Sequence, residues 1–335
     1  MAQNNNLSPL PFYDSKDKQE FRRWYSYGDI YPYIASSQYL VPFFVSNENN
    51  IVSIDNVEFF SACCGESSVL GSGTYSWNFA SPFSATHQYY EGEYARLDGS
   101  VYQFVMNHLG AWSEGDVEYR GDVYNIYGYQ LKNAMSFYNG ASSSVMYYSG
   151  NGIVGLPTGA YYIKITFTDS LGSGKVRYSE VFFAEDVSKK VSIKWYNADD
   201  LEFDGGFIPY NHIANSLYYS NRIYLDTHIG LPEYSYTEEG EERNGKFFPV
   251  KQISEKTYKF VVIIPEFVCD LMRTIRMSDV MTIYDNELGN TYNLEQFETD
   301  TKWLDGGRYA QMECSFQTNT IVKKIGKAYS DITPR

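Results

Sequence analysis

Tyr161-Tyr162-Ile163-Lys164-Ile165-Thr166-Phe167-Thr168 sets Tyr161, Ile163, Ile165 and Phe167 on one side and Tyr162, Lys164, Thr166 and Thr168 on the other. A period of two is that of a half-buried strand. Asp169-Ser170-Leu171-Gly172-Ser173-Gly174 follows, and Lys175 to Phe183 resumes an extended pattern, so the pair reads as a hairpin. The phase breaks near Ser179-Glu180: Val176 and Tyr178 share one parity, Val181 and Phe183 the other. One extra residue there, a β-bulge, accounts for the break.

The same alternation recurs outward from this hairpin, in Val191, Ile193 and Trp195 and most cleanly in Ala310, Met312, Cys314 and Phe316. Helical spacing is scarce. Asp14 or Ser15 could cap a short helix with Phe21, Trp24 and Tyr25 on one face and Gly28 past its end. A second candidate runs from Tyr129 to Asn139, with Leu131, Ala134, Met135 and Tyr138 as its stripe and Gly140 as its stop. The best runs from Pro265 to Met277, where Phe267, Val268, Leu271, Met272 and Ile275 form a core stripe. The fold class predicted is mainly β: a β-sandwich-like domain over residues 1–187 with a short N-terminal helix, then a β-rich α+β domain over 188–335 whose main helix lies near 265–277. The polar stretch Glu185-Asp186-Val187-Ser188-Lys189-Lys190 divides them and is too short for a loose tether.

Length agrees, since 335 residues at roughly 150 per domain suggests about two domains. The chain has 41 acidic against 27 basic residues, a formal net charge of -14, which speaks against nucleic acid and anionic membrane as partners. No apolar run approaches the roughly 18 residues of a membrane span, and Met1 to Asn6 show neither a basic nor an apolar segment, so no secretory signal is expected. Four cysteines, Cys63, Cys64, Cys269 and Cys314, are too few for a disulfide scaffold and fit a reducing compartment. With 33 Tyr, 21 Phe and 5 Trp, aromatic contact area is abundant, and such side chains serve strands, subunit interfaces and sugar-binding surfaces alike.

Motifs for chemistry are thin. Gly172-Ser173-Gly174-Lys175 lacks the upstream Gly of a phosphate loop, where Asp169 stands, and has Val176 in place of Ser or Thr, so it reads as a turn. Asp200, Glu202 and Asp204 before Gly205 partly mimic a calcium loop, but the twelfth position is Asn211 rather than Glu; they are a weak calcium candidate, and no metal, cofactor or catalytic residue is otherwise called for. Gly65 to Gly73 and Tyr236 to Gly245 read as mobile loops. In the second, Glu238, Glu239, Glu241 and Glu242 crowd around Gly240, so Tyr236, these four glutamates and Arg243 form a candidate interface arm between strands at 221–227 and 247–253.

Leu10-Pro11-Phe12-Tyr13-Asp14-Ser15-Lys16-Asp17-Lys18-Gln19, followed by Phe21-Arg22-Arg23-Trp24-Tyr25-Ser26-Tyr27-Gly28-Asp29, resembles the start of structural proteins encoded by phages and prophages of gut Bacteroidetes. Tyr178-Ser179-Glu180-Val181-Phe182 is similar to another piece of that family, as is the stretch from Arg243-Asn244-Gly245-Lys246 through the helix at Pro265 to Gly307. The resemblance implies a non-enzymatic virion component of the tail or baseplate region, made in the host bacterial cytoplasm and assembling with itself and other virion proteins. By fold analogy the C-terminal domain would be of the tail-tube or tail-hub kind. Two other readings stay open: a receptor- or carbohydrate-binding module for a host surface glycan, and a tail-associated glycan hydrolase, which would need two convergent carboxyl groups.

Overall fold

The structure, a computed structural model, describes residues 7–19, 33–35, 40–62, 81–97, 100–122, 131–141, 143–150, 156, 158–172, 174–204, 206–214, 216–243, 245–318 and 322–325. Within them the chain is mainly β, in several largely antiparallel sheets with one main helix, as the alternation predicts. The loop expected at Gly65 to Gly73 lies outside the described residues, as do Phe21, Trp24, Tyr25 and Gly28 of the first expected helix. What is described there is a single 3-10 turn, Lys16–Lys18, with Ser15 Oγ accepting from the Asp17 N–H at 3.3 Å.

In chain order the strands of the N-terminal half are β1 (Phe12–Tyr13), β2 (Tyr33–Ala35), β3 (Phe43–Asn47), β4 (Ile51–Ser61), β5 (Ser81–Pro82), β6 (Tyr94–Leu97), β7 (Ser100–Phe104), β8 (Val117–Asp122), β9 (Met135–Asn139), β10 (Ser144–Tyr148), β11 (Gly159–Asp169), β12 (Gly174–Ser179) and β13 (Phe182–Glu185). β11 organises the first sheet: β4 runs along one edge, while β12 and then β13 take the other. The slip expected near Ser179 is present, because the register passes from Lys164↔Tyr178 to Tyr161↔Phe182 with one extra residue on the outer strands. At the slip the Ile163 N–H donates to Ser179 Oγ at 2.8 Å, and that hydroxyl donates to the Glu180 carbonyl at 2.8 Å. A buried backbone donor is thus kept paired where the ladder is interrupted.

The second sheet, β3-β10-β9, packs on the first. Phe43, Val45, Met146 and Tyr148 from one and Phe59, Ile163, Ile165 and Phe167 from the other share a single core. The helix expected from Tyr129 to Asn139 is corrected here. Residues 131–134 are helical, but Met135–Asn139 is strand β9, paired with β10 along its whole length. Leu131, Ala134 and Met135 are buried as the stripe required, whereas Tyr138 is exposed. Pairing with β10 along one edge supplies the segment's ladder and overrides a weak local preference. A third sheet, β5-β6-β7-β8, carries its own small cluster, in which Tyr89 stacks on Phe104 at 4.3 Å and on Phe83 at 5.5 Å.

A different core begins at Val191. Its strands are β14 (Val191–Tyr196), β15 (Leu201–Phe203), β16 (Gly206–Ile208), β17 (Ile213–Ala214), β18 (Leu217–Tyr218), β19 (Asn221–Leu225), β20 (Glu233–Arg243), β21 (Lys246–Pro265), β22 (Val280–Asp285), β23 (Asn290–Leu304), β24 (Tyr309–Thr318) and β25 (Val322–Ile325). The sheet β19-β14-β22-β23-β24-β21-β20 folds back on itself through β23, whose first residues pair β22 and whose later ones pair β24. Val191, Ile193 and Trp195 of one part then face Val262, Ile264, Met312 and Phe316 of the other. Helix α1 (Glu266–Met272), entered from Pro265 and followed by a 3-10 turn at Ile275–Met277, packs Val268, Leu271, Met272 and Ile275 into that core. This is the stripe the spacing predicts.

Cys269 of α1 and Cys314 of β24 are free thiols within this core. Burial pushes the Cys269 thiol up to about 12, with Asp270 and Glu266 adding to the effect, and burial likewise raises the Cys314 thiol. Thiolate is the reactive form. Iodoacetamide at pH 8 should therefore leave both unmodified in the folded chain and label both in urea, as read by peptide mass mapping.

The segment between β14 and β19 leaves the C-terminal core and lies on the outer side of the second sheet. Phe44, Val145 and Tyr147 of β3 and β10 pack there with Phe207, Ile208, Tyr210 and Tyr219. The two halves are therefore joined by an aromatic layer. Gly206 of β16 is part of its fit, since a Cβ there would come within 2.9 Å of Ser46 Cβ on β3 and 3.3 Å of the Phe203 ring. Gly206→Ala should destabilise the chain by about 1–3 kcal/mol through overpacking, seen as a lower urea midpoint.

Candidate functional site

β20 and β21 form one long hairpin, paired from Glu233↔Thr257 at its base to Arg243↔Lys246 at its tip, where Gly245 has φ +72°. The mobile loop expected at Tyr236 to Gly245 is therefore corrected: Tyr236 to Arg243 belongs to strand β20. Repulsion among Glu238, Glu239, Glu241 and Glu242 favours a loop, and the hairpin relieves it in two ways. Alternation along β20 sends adjacent side chains to opposite faces. Across the ladder the carboxylates meet donors: Glu239 Oε1 lies 3.5 Å from Lys251 Nζ, and Glu238 accepts from Gln252 Nε2. At the base Glu233 accepts from Lys259 Nζ at 2.9 Å, and Lys256 Nζ lies 5.7 Å from the centre of the Tyr234 ring. A register shift at Glu239/Gly240, opposite Pro249, adds twist near the tip. The signal that could have found this element is Asn244-Gly245, the dipeptide that two-residue hairpin turns favour most.

Every residue from 233 to 242 is exposed. Tyr234 and Tyr236 stand 69% and 62% exposed, with Phe247, Val250 and Val322 also exposed nearby. β25 adds to the other edge of β21, so Tyr236, Ser254 and Val322 form one row across three strands. By strand alternation this row shares the side of β21 that carries Tyr258 and Phe260 into the core. The arm thus extends the inner face of the sheet past the core that covers it elsewhere. A bare hairpin is marginal in water, and an open edge with exposed apolar side chains is a template for another chain.

Asp200, Glu202 and Asp204 are not brought together as a cation site. Asp200 accepts from the Asn211 N–H at 2.8 Å and pairs with His212 Nε2 at 2.9 Å, which fixes the start of the β15–β16 hairpin. Glu202 is exposed on β15, and Asp204 lies in the turn before β16. Among the described residues no group of three or more His, Cys, Asp or Glu is placed to hold a metal ion.

The paired tyrosines divide between core and surface. Tyr147 and Tyr148 are both buried on opposite faces of β10, and Tyr89 and Tyr219 are buried while their neighbours Tyr90 and Tyr218 are exposed; Tyr124, Tyr127 and Tyr129 lie outside the described residues. In the third sheet His108, buried between Phe83 and Phe104, pairs through Nδ1 with Asp116 Oδ2 at 2.7 Å. Sequence reading missed this pair because its members are joined only by the fold of β7 and β8. Two adjoining cavities at the junction of the halves, of about 180 and 450 Å³, share Lys194 as a wall, and neither is lined by a carboxylate. The acid pair of a glycan hydrolase is thus not found in them.

No family model, curated protein or solved structure matches the chain. Among the described residues no helix is long and apolar enough to cross a membrane.

Proposed function

We propose that the chain is a non-enzymatic structural subunit of a phage particle, in the tail or baseplate region, which assembles with itself and with other virion proteins. The observation that carries this reading is the β20–β21 arm, a paired hairpin whose outer strand is exposed from Glu233 to Glu242 and carries tyrosines on the continuation of a core face. Such an element gains little by folding alone, and docking on a neighbour would bury its aromatic side chains and pair its edge. Its carboxylates guard the edge against pairing with an identical edge, so the arm docks on a different surface of a second copy or of another virion protein, one that presents basic or polar groups. The local resemblance of both halves to Bacteroidetes phage structural proteins supports the particle as the place where this happens.

The test is made on particles purified by density gradient from the cells that produce the chain. Peptides of the chain should be enriched with the particles, and a Glu-specific protease should cut between Glu238 and Glu242 in the free subunit much faster than in the particle. Recovery of the chain only in the soluble fraction would overturn the assignment.

A further inference from the structure

We propose that the cleft between the two halves binds an acidic saccharide, with its carboxylate or sulfate ester held between Lys194 and Arg222 and its ring against the neighbouring tyrosines. This inference goes beyond the assembly role and does not rest on it.

Lys194 of β14 and Arg222 of β19 are direct partners in the antiparallel ladder, so two cations stand side by side on the outer face of the sheet. Like charges in that position destabilise a sheet, and more so away from water. Both side chains are partly buried, facing Leu40 to Pro42 and Ser149-Gly150 of the N-terminal half. Acidic residues outnumber basic ones 41 to 27 in this chain, yet among the described residues neither cation has a carboxylate within ion-pairing distance. Each lies instead over an aromatic ring, Lys194 Nζ 5.8 Å from the Tyr196 centroid and Arg222 Cζ 5.7 Å from that of Tyr284. Burial, reinforced by Arg222, holds the Lys194 ammonium below its ordinary value. An anion between the two cations would relieve all of this at once.

A second observation points to a ligand at the same place. Ser149, which lines the cleft and is 9% exposed, has a hydroxyl with no hydrogen-bond partner. Buried hydroxyls are paired as a rule, and this one stands in the wall beside two cations. The kind of ligand follows from the adjoining cavity. Its volume of about 450 Å³ is that of a small-molecule site; the half-buried Tyr196 and the exposed Tyr218 stand on its walls, over the buried Tyr210 and Tyr219. Phenols present an apolar face and a polar tip, which suits a ring with hydroxyls on its rim. The floor is rigid: Tyr219 Oη donates to Asn221 Oδ1 at 2.9 Å, and Asn221 Nδ2 donates to Tyr210 Oη at 2.8 Å. Tyr218 stands open at the rim.

The experiment titrates the full chain with trigalacturonate and with a sulfated heparin disaccharide, using maltotriose, sodium sulfate and triglutamate as comparisons, by calorimetry in low salt. At least one of the two acidic sugars should bind, should raise the melting temperature, and should bind at least about tenfold more tightly than maltotriose, sulfate or triglutamate. Lys194→Met and Arg222→Gln should each weaken that binding about tenfold or more, the loss of a charge-assisted contact. Without ligand, Lys194→Met should melt at the same or a higher temperature than the parent, because a like-charge pair is removed. Failure of both acidic sugars to bind would overturn the proposal. So would equal binding of sulfate or triglutamate, or binding that survives both substitutions, and a lower melting temperature for unliganded Lys194→Met would contradict the uncompensated pair.

Discussion

Trp195→Ala is expected to lower the stability of the C-terminal half by about 3–5 kcal/mol, the range for removing a large buried aromatic side chain. Trp195 is fully buried near the end of β14, in the core shared by both parts of the folded-back sheet. Its indole N–H donates to Thr274 Oγ1 at 3.0 Å, and that hydroxyl donates to the Leu271 carbonyl at 2.7 Å. One side chain therefore ties the sheet to the link between α1 and the 3-10 turn that follows it, and its removal leaves a cavity where sheet and helix meet. Urea unfolding should show a much lower midpoint with an unchanged slope. Trp195→Phe, which keeps most of the volume but not the N–H, should cost about 1–3 kcal/mol. An effect of Trp195→Ala under about 1 kcal/mol would mean that the core in solution is not the one described, since loss of well-packed core volume costs more than that.

The second large effect is on assembly rather than on folding. Replacing Tyr234, Tyr236 and Phe247 together by serine should leave the melting temperature of the isolated subunit nearly unchanged, because all three are exposed. The same change should weaken subunit association at least about thirtyfold, since aromatic anchors at interfaces commonly carry about 2 kcal/mol or more each. Stability and association are thereby separated: a core contact would lower both, and a solvated arm would lower neither. Sedimentation velocity over a range of concentrations gives the association readout, and differential scanning calorimetry the other.

Much of this architecture was legible in period-two alternation. The β11–β12 hairpin, the slip at Ser179, strand β24 and the stripe of α1 follow from side-chain order, because each buries one face against a single core. What was not legible has physical reasons. Met135–Asn139 shows helical spacing, yet β10 supplies its backbone partners, and the sequence does not show that β10 lies beside it. The acidic arm reads as a loop because charge density in one strand says nothing about Lys251 and Gln252 across the ladder. Spacing alone groups Asp200 with Glu202 and Asp204, whereas the fold turns it toward His212. The Lys194–Arg222 pair, 28 positions apart, becomes a site only when β14 and β19 lie side by side.

The claim that this subunit associates with itself through its arm is tested most directly by light scattering of the purified chain at low and high concentration, beside the Tyr234→Ser/Tyr236→Ser/Phe247→Ser variant. The parent should rise above its monomer mass of 38.5 kDa as concentration increases, while the variant stays at that mass. A parent that remains at 38.5 kDa throughout, or a variant that associates as the parent does, would contradict the account.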